Sequence, residues 1–172
     1  MKPIRLWAFV LLAGIVGAVV GCGSRAPAGP AVASSHEIVA WLGGLTLLKC
    51  APLPSDSVTQ LVGPEGGVIR VGPHTLTIPS GAVESTVSIT AVTPVDTVNR
   101  IHFEPHGLSF ERPVALRLSY ANCEGPGLLL PKQVVYTTGA LEILQASPSL
   151  DNLFARRVTG RITHFSDYAI AW

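Results

Sequence analysis

From Ser57 onward, apolar side chains recur at every second position in short runs separated by Gly, Pro and Ser. The clearest run is 114–120: Val114, Leu116, Leu118 and Tyr120 share one face, with Arg117 and Ser119 on the other. Residues 87–92 repeat the pattern, with Val87, Ile89 and Ala91 alternating with Ser88 and Thr90. A period of two marks a half-buried β-strand. The same reading places strands at 58–62, 68–71, 75–78, 98–103, 133–137, 141–146, 154–159 and 168–172. The last two are joined by a segment in which Gly160-Arg161 turns the chain. Gly63-Pro64-Glu65-Gly66, Gly72-Pro73-His74 and Pro79-Ser80-Gly81 are turn sequences. The stretch 36–48 is apolar, is broken by Gly43-Gly44, and is expected to form a short helix and then a strand that packs on the domain. About nine short strands with turns every 8–12 residues predict an all-β, antiparallel sandwich. No helical periodicity of any length follows Ser57.

The pattern before Ser57 is of another kind. Lys2 and Arg5 precede an unbroken run from Leu6 to Val20 in which 13 of 15 residues are apolar. That is shorter than the ~20 residues of a membrane-spanning helix and has the form of a secretory signal. The boundary Val19-Val20-Gly21-Cys22 resembles a bacterial lipobox. The resemblance implies a diacylglycerol thioether on Cys22, cleavage between Gly21 and Cys22, and acylation of the new amine. An ordinary cleavable signal with an incidental Cys22 is the alternative. Gly23, rather than Asp, would favour the outer membrane in a Gram-negative envelope. Residues 24–35, SRAPAGPAVASS, are small and nearly uncharged, and read as a flexible tether. The expected organisation is therefore a signal at 1–21, lipidated Cys22 and tether at 22–35, an apolar extension at 36–56, and the sandwich at 57–172.

Composition narrows the function. Only 13% of the 172 residues are charged, against an ordinary ~25%. Once Lys2 and Arg5 leave with the signal, 10 basic side chains face 11 acidic ones. No basic stripe remains to hold a phosphate backbone, so nucleic acid is excluded as a partner. No small-molecule substrate or cofactor is evident, and the expected partners are the membrane, through Cys22, and an envelope protein. Of the three cysteines, Cys50 and Cys123 remain after lipidation. An oxidising compartment favours a disulfide between them, with two separate buried thiols as the alternative. Their spacing fits no metal site.

Three segments carry a family resemblance. They are Gly66-Gly67-Val68, Leu76-Thr77-Ile78-Pro79-Ser80-Gly81-Ala82, and Phe103-Glu104-Pro105-His106-Gly107-Leu108-Ser109-Phe110 with Arg112-Pro113-Val114. In order and spacing they resemble the ZU-five domain over roughly Gln60 to Trp172. That domain occurs in tight-junction scaffolds, netrin receptors, ankyrins and death-domain adaptors. The resemblance is to bacterial single-domain forms, and it implies a β-sandwich that binds other proteins or packs against neighbouring domains. Ile78 and Ala82 should dock into the core, with Phe103, Leu108 and Phe110 as aromatic and aliphatic anchors. The loops around Thr93–Arg100 and Ala121–Leu130 are candidate binding surfaces.

Three constellations carry possible chemistry. His164-Phe165-Ser166 resembles the sequence at which some ZU-five proteins, and a nucleoporin, cut themselves. By that resemblance Ser166 Oγ would attack the Phe165 carbonyl with His164 as base, releasing residues 166–172. The bland reading makes Phe165 a core residue and has Ser166 or Asp167 satisfying turn amides. Alternation puts His102, Glu104 and His106 on one face, where three such ligands could hold zinc, with His74 a distant fourth. Against this, Pro105 breaks the strand and His106 is expected to bond locally in a turn. Arg156, Arg157 and Arg161 form a small basic cluster, read as a solvated strand face. There is no GxSxG, HExxH or phosphate-cradling loop in the folded part, and an enzyme is not expected.

Overall fold

The computed structural model describes residues 44–172. Cys22, the signal, the tether and the expected helix beginning at His36 lie outside them. The described residues form eleven strands: β1 (Asp56–Val62), β2 (Gly67–Val71), β3 (His74–Ile78), β4 (Val87–Thr93), β5 (Arg100–Glu104), β6 (Ser109–Ser119), β7 (Gln133–Thr137), β8 (Ile143–Ala146), β9 (Ser149–Asn152), β10 (Arg157–His164) and β11 (Asp167–Ala171). A single 3-10 turn, Pro126–Leu129, interrupts them, and no α-helix occurs among the described residues. One sheet has the order β1-β4-β5-β11-β7-β8 and the other β2-β3-β6-β10-β9. Every pairing is antiparallel. The fold is an antiparallel β-sandwich.

Alternation accounts for the core. Val114, Leu116, Leu118 and Tyr120 are all buried, as are Ile89 and Ala91, Ile101 and Phe103, and Val134, Tyr168 and Ile170. Ile78, Ala82, Phe103 and Phe110 are buried, and Leu108 packs against them half-buried. Full burial of such a side chain contributes about 1.5–3 kcal/mol, so these positions hold the two sheets together. Arg117 is exposed, but Ser119 is buried, and its amide donates to His74 Nδ1 at 3.1 Å. A smaller cluster on the outer face of the six-stranded sheet joins Val98, Val135, Ala169 and Ala171 with Leu45, Leu47, Leu141 and Ile143.

Two expectations fail at β10. Gly160-Arg161 is not a turn: it lies within β10, with Gly160 opposite Leu116 on one side and Ser149 on the other. A Cβ at Gly160 would come within 2.5 Å of Val134 Cβ on the facing sheet. The glycine is there for close approach between the sheets, not for reversal. Phe154 is not a strand residue either. It sits in the turn between β9 and β10 and is fully exposed. The strand expected at 154–159 is thus two features, the end of a hairpin and the start of β10. Of the eleven strands, β9 (Ser149–Asn152) is the one the alternation did not mark.

The chain reaches the sandwich beside its last strand. Thr46 and Trp172 exchange backbone hydrogen bonds at 3.0 Å, and Leu48 N donates to Ile170 O at 2.9 Å. Leu48 enters the core. No helix among the described residues is long and apolar enough to cross a membrane.

Candidate functional site

The segment 164–167 reverses the chain between β10 and β11 and is locked against the loop 105–108. Phe165 is completely buried. Its ring stacks on Phe103 with centroids 4.6 Å apart and meets Phe110 edge-on at 4.8 Å. Offset and edge-on aromatic pairs each add about 0.5–1.5 kcal/mol beyond burial. Phe165 N donates to Leu108 O at 2.8 Å, and Gly107 N donates to Phe165 O at 3.0 Å. Gly107 has φ +79°, the left-handed region that glycine occupies without penalty, and this aims its N–H at that carbonyl.

Ser166 is buried, and its Oγ lies 3.1 Å from His106 Nε2. His106 therefore does not bond locally in its own turn; it reaches a residue 60 positions away. His164, expected beside Ser166, is turned elsewhere. Its ring packs edge-on against Tyr136 at 5.1 Å and lies 6.2 Å from Tyr168, whose hydroxyl donates to the His164 carbonyl at 2.7 Å. Burial raises the pKa of that hydroxyl, with the neighbouring Tyr136 adding to the effect. The geometry thus gives Ser166 Oγ a histidine partner and the preceding carbonyl an N–H donor, but both come from the loop 105–108. Ser166 and Asp167 do not satisfy turn amides: Asp167 Oδ1 is 3.1 Å from His102 Nδ1.

His102 and Glu104 do share the outer face of β5, with Nε2 and Oε1 3.6 Å apart, and the His106 ring stacks 6.2 Å from that of His102. Among the described residues, however, no three His, Cys, Asp or Glu side chains converge as a metal-ion group. His74 is engaged elsewhere. It is buried with Nδ1 accepting from Ser119 N, and burial lowers its pKa to about 4.

At the opposite end, Cys50 and Cys123 form a disulfide, with a sequence separation of 73. Asn99 Nδ2 donates to Ser119 O at 2.9 Å and to Asn122 Oδ1 at 2.7 Å, while Asn122 Nδ2 donates to Ala51 O at 2.6 Å. The two loops considered as binding surfaces are therefore stitched to each other and to the arriving chain. Val95 and Thr97 on one, and Ala121, Glu124, Gly125, Leu129 and Leu130 on the other, remain exposed. Lys132 is buried here, its Nζ donating to the carbonyls of Leu128 at 2.8 Å and of Leu130, and lying 5.1 Å above the Tyr120 ring. Desolvation lowers its pKa, and Asp151, 3.9 Å away, opposes that shift. In the basic cluster Arg157 and Arg161 are exposed, but Arg156 donates to the Cys123 carbonyl.

The histidine beside Ser166 Oγ is His106, not His164, the one the resemblance named. No local signal could have joined His106 to Ser166 or His102 to Asp167, because β-sheet pairing between β5 and β11 creates both contacts. No family model matches the chain, and no curated protein matches it.

Proposed function

We propose that this chain is a lipid-anchored cell-envelope protein whose ZU-five-like β-sandwich serves as a protein-interaction or structural module. The observation that carries the address is Cys22 at the end of a short export run, followed by an uncharged tether. Two or three acyl chains on Cys22 make a durable anchor, since each buried CH₂ contributes about 0.8 kcal/mol. In a Gram-negative envelope, Gly23 favours the outer membrane. The ZU-five reading is supported by the roles of its motif residues: Ile78, Ala82, Phe103 and Phe110 fill the core, so packing explains them without catalysis. Cell fractionation tests the address. The wild type should pellet with envelope membranes and be released by detergent. A Cys22→Ser variant that pellets equally would overturn the proposal.

A second reading is favoured by the bond between Ser166 and His106. In it, the domain cuts itself between Phe165 and Ser166. His106 Nε2 takes the proton of Ser166 Oγ, which attacks the Phe165 carbonyl carbon. The Gly107 N–H steadies the charge on oxygen. The C–N bond breaks, the Ser166 amine takes up the proton, and water then hydrolyses the ester to leave a Phe165 carboxylate. Intact mass decides between the readings. A chain lacking residues 166–172, restored to full length by Ser166→Ala and by His106→Ala but not by His164→Ala, establishes self-processing. A full-length wild type refutes it.

A further inference from the structure

The end of the sandwich where the described chain begins, at Gly44, also gathers much of its exposed apolar surface. Trp172, paired with Thr46, lays its indole against Gly127, where no Cβ would fit. Lys132 Nζ holds the carbonyls of Leu128 and Leu130, and Lys132 N donates to Asp151 Oδ2 at 2.9 Å. Tyr120 donates its hydroxyl to Asp151 Oδ1 at 2.7 Å and its amide to Arg156 O at 2.9 Å, while Arg156 reaches the Cys123 carbonyl. These bonds set the loop 125–131 and the hairpin tip 152–156 side by side around the disulfide. From the two tips project Leu129 (88% exposed), Leu130, Leu153 and Phe154 (103% exposed). Val95 joins them on the loop whose Thr97 O accepts from Cys50 N at 2.8 Å. A fully exposed Phe beside exposed leucines is what an interaction surface looks like.

We infer that this end is a membrane-facing surface whose loop tips insert into the bilayer that anchors Cys22. The inference rests on the lipid-anchor reading for its choice of occupant. Residues 22–43 separate the lipid from Gly44, and a chain of that length reaches at most about 75 Å. The end of the domain where that chain arrives is therefore held at high effective concentration near the bilayer. The tips suit immersion. Residues 127–131 and 152–155 contain no charged side chain. Four backbone amides of the tips are partnered: Leu128 N to Gly125 O, Leu130 N to Gly127 O, Ala155 N to Asn152 Oδ1 and Arg156 N to Leu153 O. Each partnered N–H lowers the cost of carrying a tip toward lipid. The flanking exposed charges, Lys49 and Arg157 against Glu124, leave a net charge of only +1, so apolar insertion rather than attraction to anionic lipid should dominate.

The test places an environment-sensitive fluorophore on a cysteine at position 154 (Phe154→Cys) or at position 61 (Leu61→Cys). Leu61 is 70% exposed and pairs with Ser88 at the far end of the sandwich. Each labelled protein is made both in the acylated mature form, whose remaining cysteines are blocked, and in a Cys22→Ser form. Vesicles of phosphatidylethanolamine and phosphatidylglycerol are then added. The expected result is a several-fold fluorescence rise at 154, quenched by lipid-borne quenchers, with no response at 61. Leu129→Ser combined with Leu153→Ser should weaken partitioning of the unacylated form at least tenfold. An acylated, vesicle-bound protein whose 154 label stays in water overturns the inference while leaving the anchor standing. A label at 154 that is shielded before vesicles are added also overturns it, because residues 36–43 or a second copy then cover the patch. If mass shows no acyl group but the 154 label still responds to vesicles, the anchor fails and the inference survives.

Discussion

Acid should weaken this sandwich through one residue, His74. The side chain begins β3, is buried, and accepts from the Ser119 amide through Nδ1, so the folded state requires that nitrogen unprotonated. Burial lowers the folded pKa from 6.5 to about 4. The unfolded chain takes up its proton near 6.5, whereas the folded chain resists until near 4. Stability from this group is therefore complete above pH 6.5 and is lost as pH falls toward 4. At 1.36 kcal/mol per pKa unit, the loss is about 2 kcal/mol by pH 5 and about 3 kcal/mol by pH 4. For a domain of this size, that is a large share of a typical 5–15 kcal/mol. Urea unfolding of the oxidised protein at pH 7, 6, 5 and 4 measures it. His74→Asn, which keeps an acceptor but does not titrate in this range, should be less stable at pH 7 yet lose most of the slope between pH 7 and 5. A wild type equally stable at pH 7 and 5, or an unchanged slope in His74→Asn, would refute the reasoning.

Two further outcomes follow from packing and covalent structure. Gly160→Ala forces a methyl group against Val134 and should cost about 1–3 kcal/mol by urea titration, although alanine favours strands no less than glycine; an unchanged midpoint would show that the sheets separate freely there. Replacing Cys50 and Cys123 together by serine releases a loop spanning 73 positions, for which the chain-entropy estimate is about 4 kcal/mol, and should lower the melting temperature markedly; equal melting curves would show that the bridge adds nothing.

The residues that spoke plainly in the sequence are those whose environment repeats with the strand. Val114, Leu116, Leu118 and Tyr120 declare a buried face because their neighbours alternate with them, and the fold class follows from several such runs. Gly160 misled because a glycine signals either a turn or a close approach, and only the facing Val134 distinguishes the two. Phe154 misled because an aromatic residue normally marks a strand, whereas here it sits exposed at a hairpin tip. The site was legible in part. His-Phe-Ser drew notice as a string, and Phe165 proved to be the hub of an aromatic stack. The histidine at Ser166 was hidden because it arrives from a loop 60 residues earlier, carried there by the register of β5 on β11. The buried Lys132 was equally silent, since its partners are backbone carbonyls that no side-chain pattern reveals.

The lipid anchor is the claim on which the proposed address depends. Mass spectrometry of the protein purified from membranes tests it directly, through the amino-terminal tryptic peptide. The account predicts a peptide of residues 22–25, beginning at Cys22 and carrying a diacylglyceryl group on sulfur and an acyl group on the amine. A mature chain that begins elsewhere, or a peptide 22–25 with an unmodified Cys22, would contradict it.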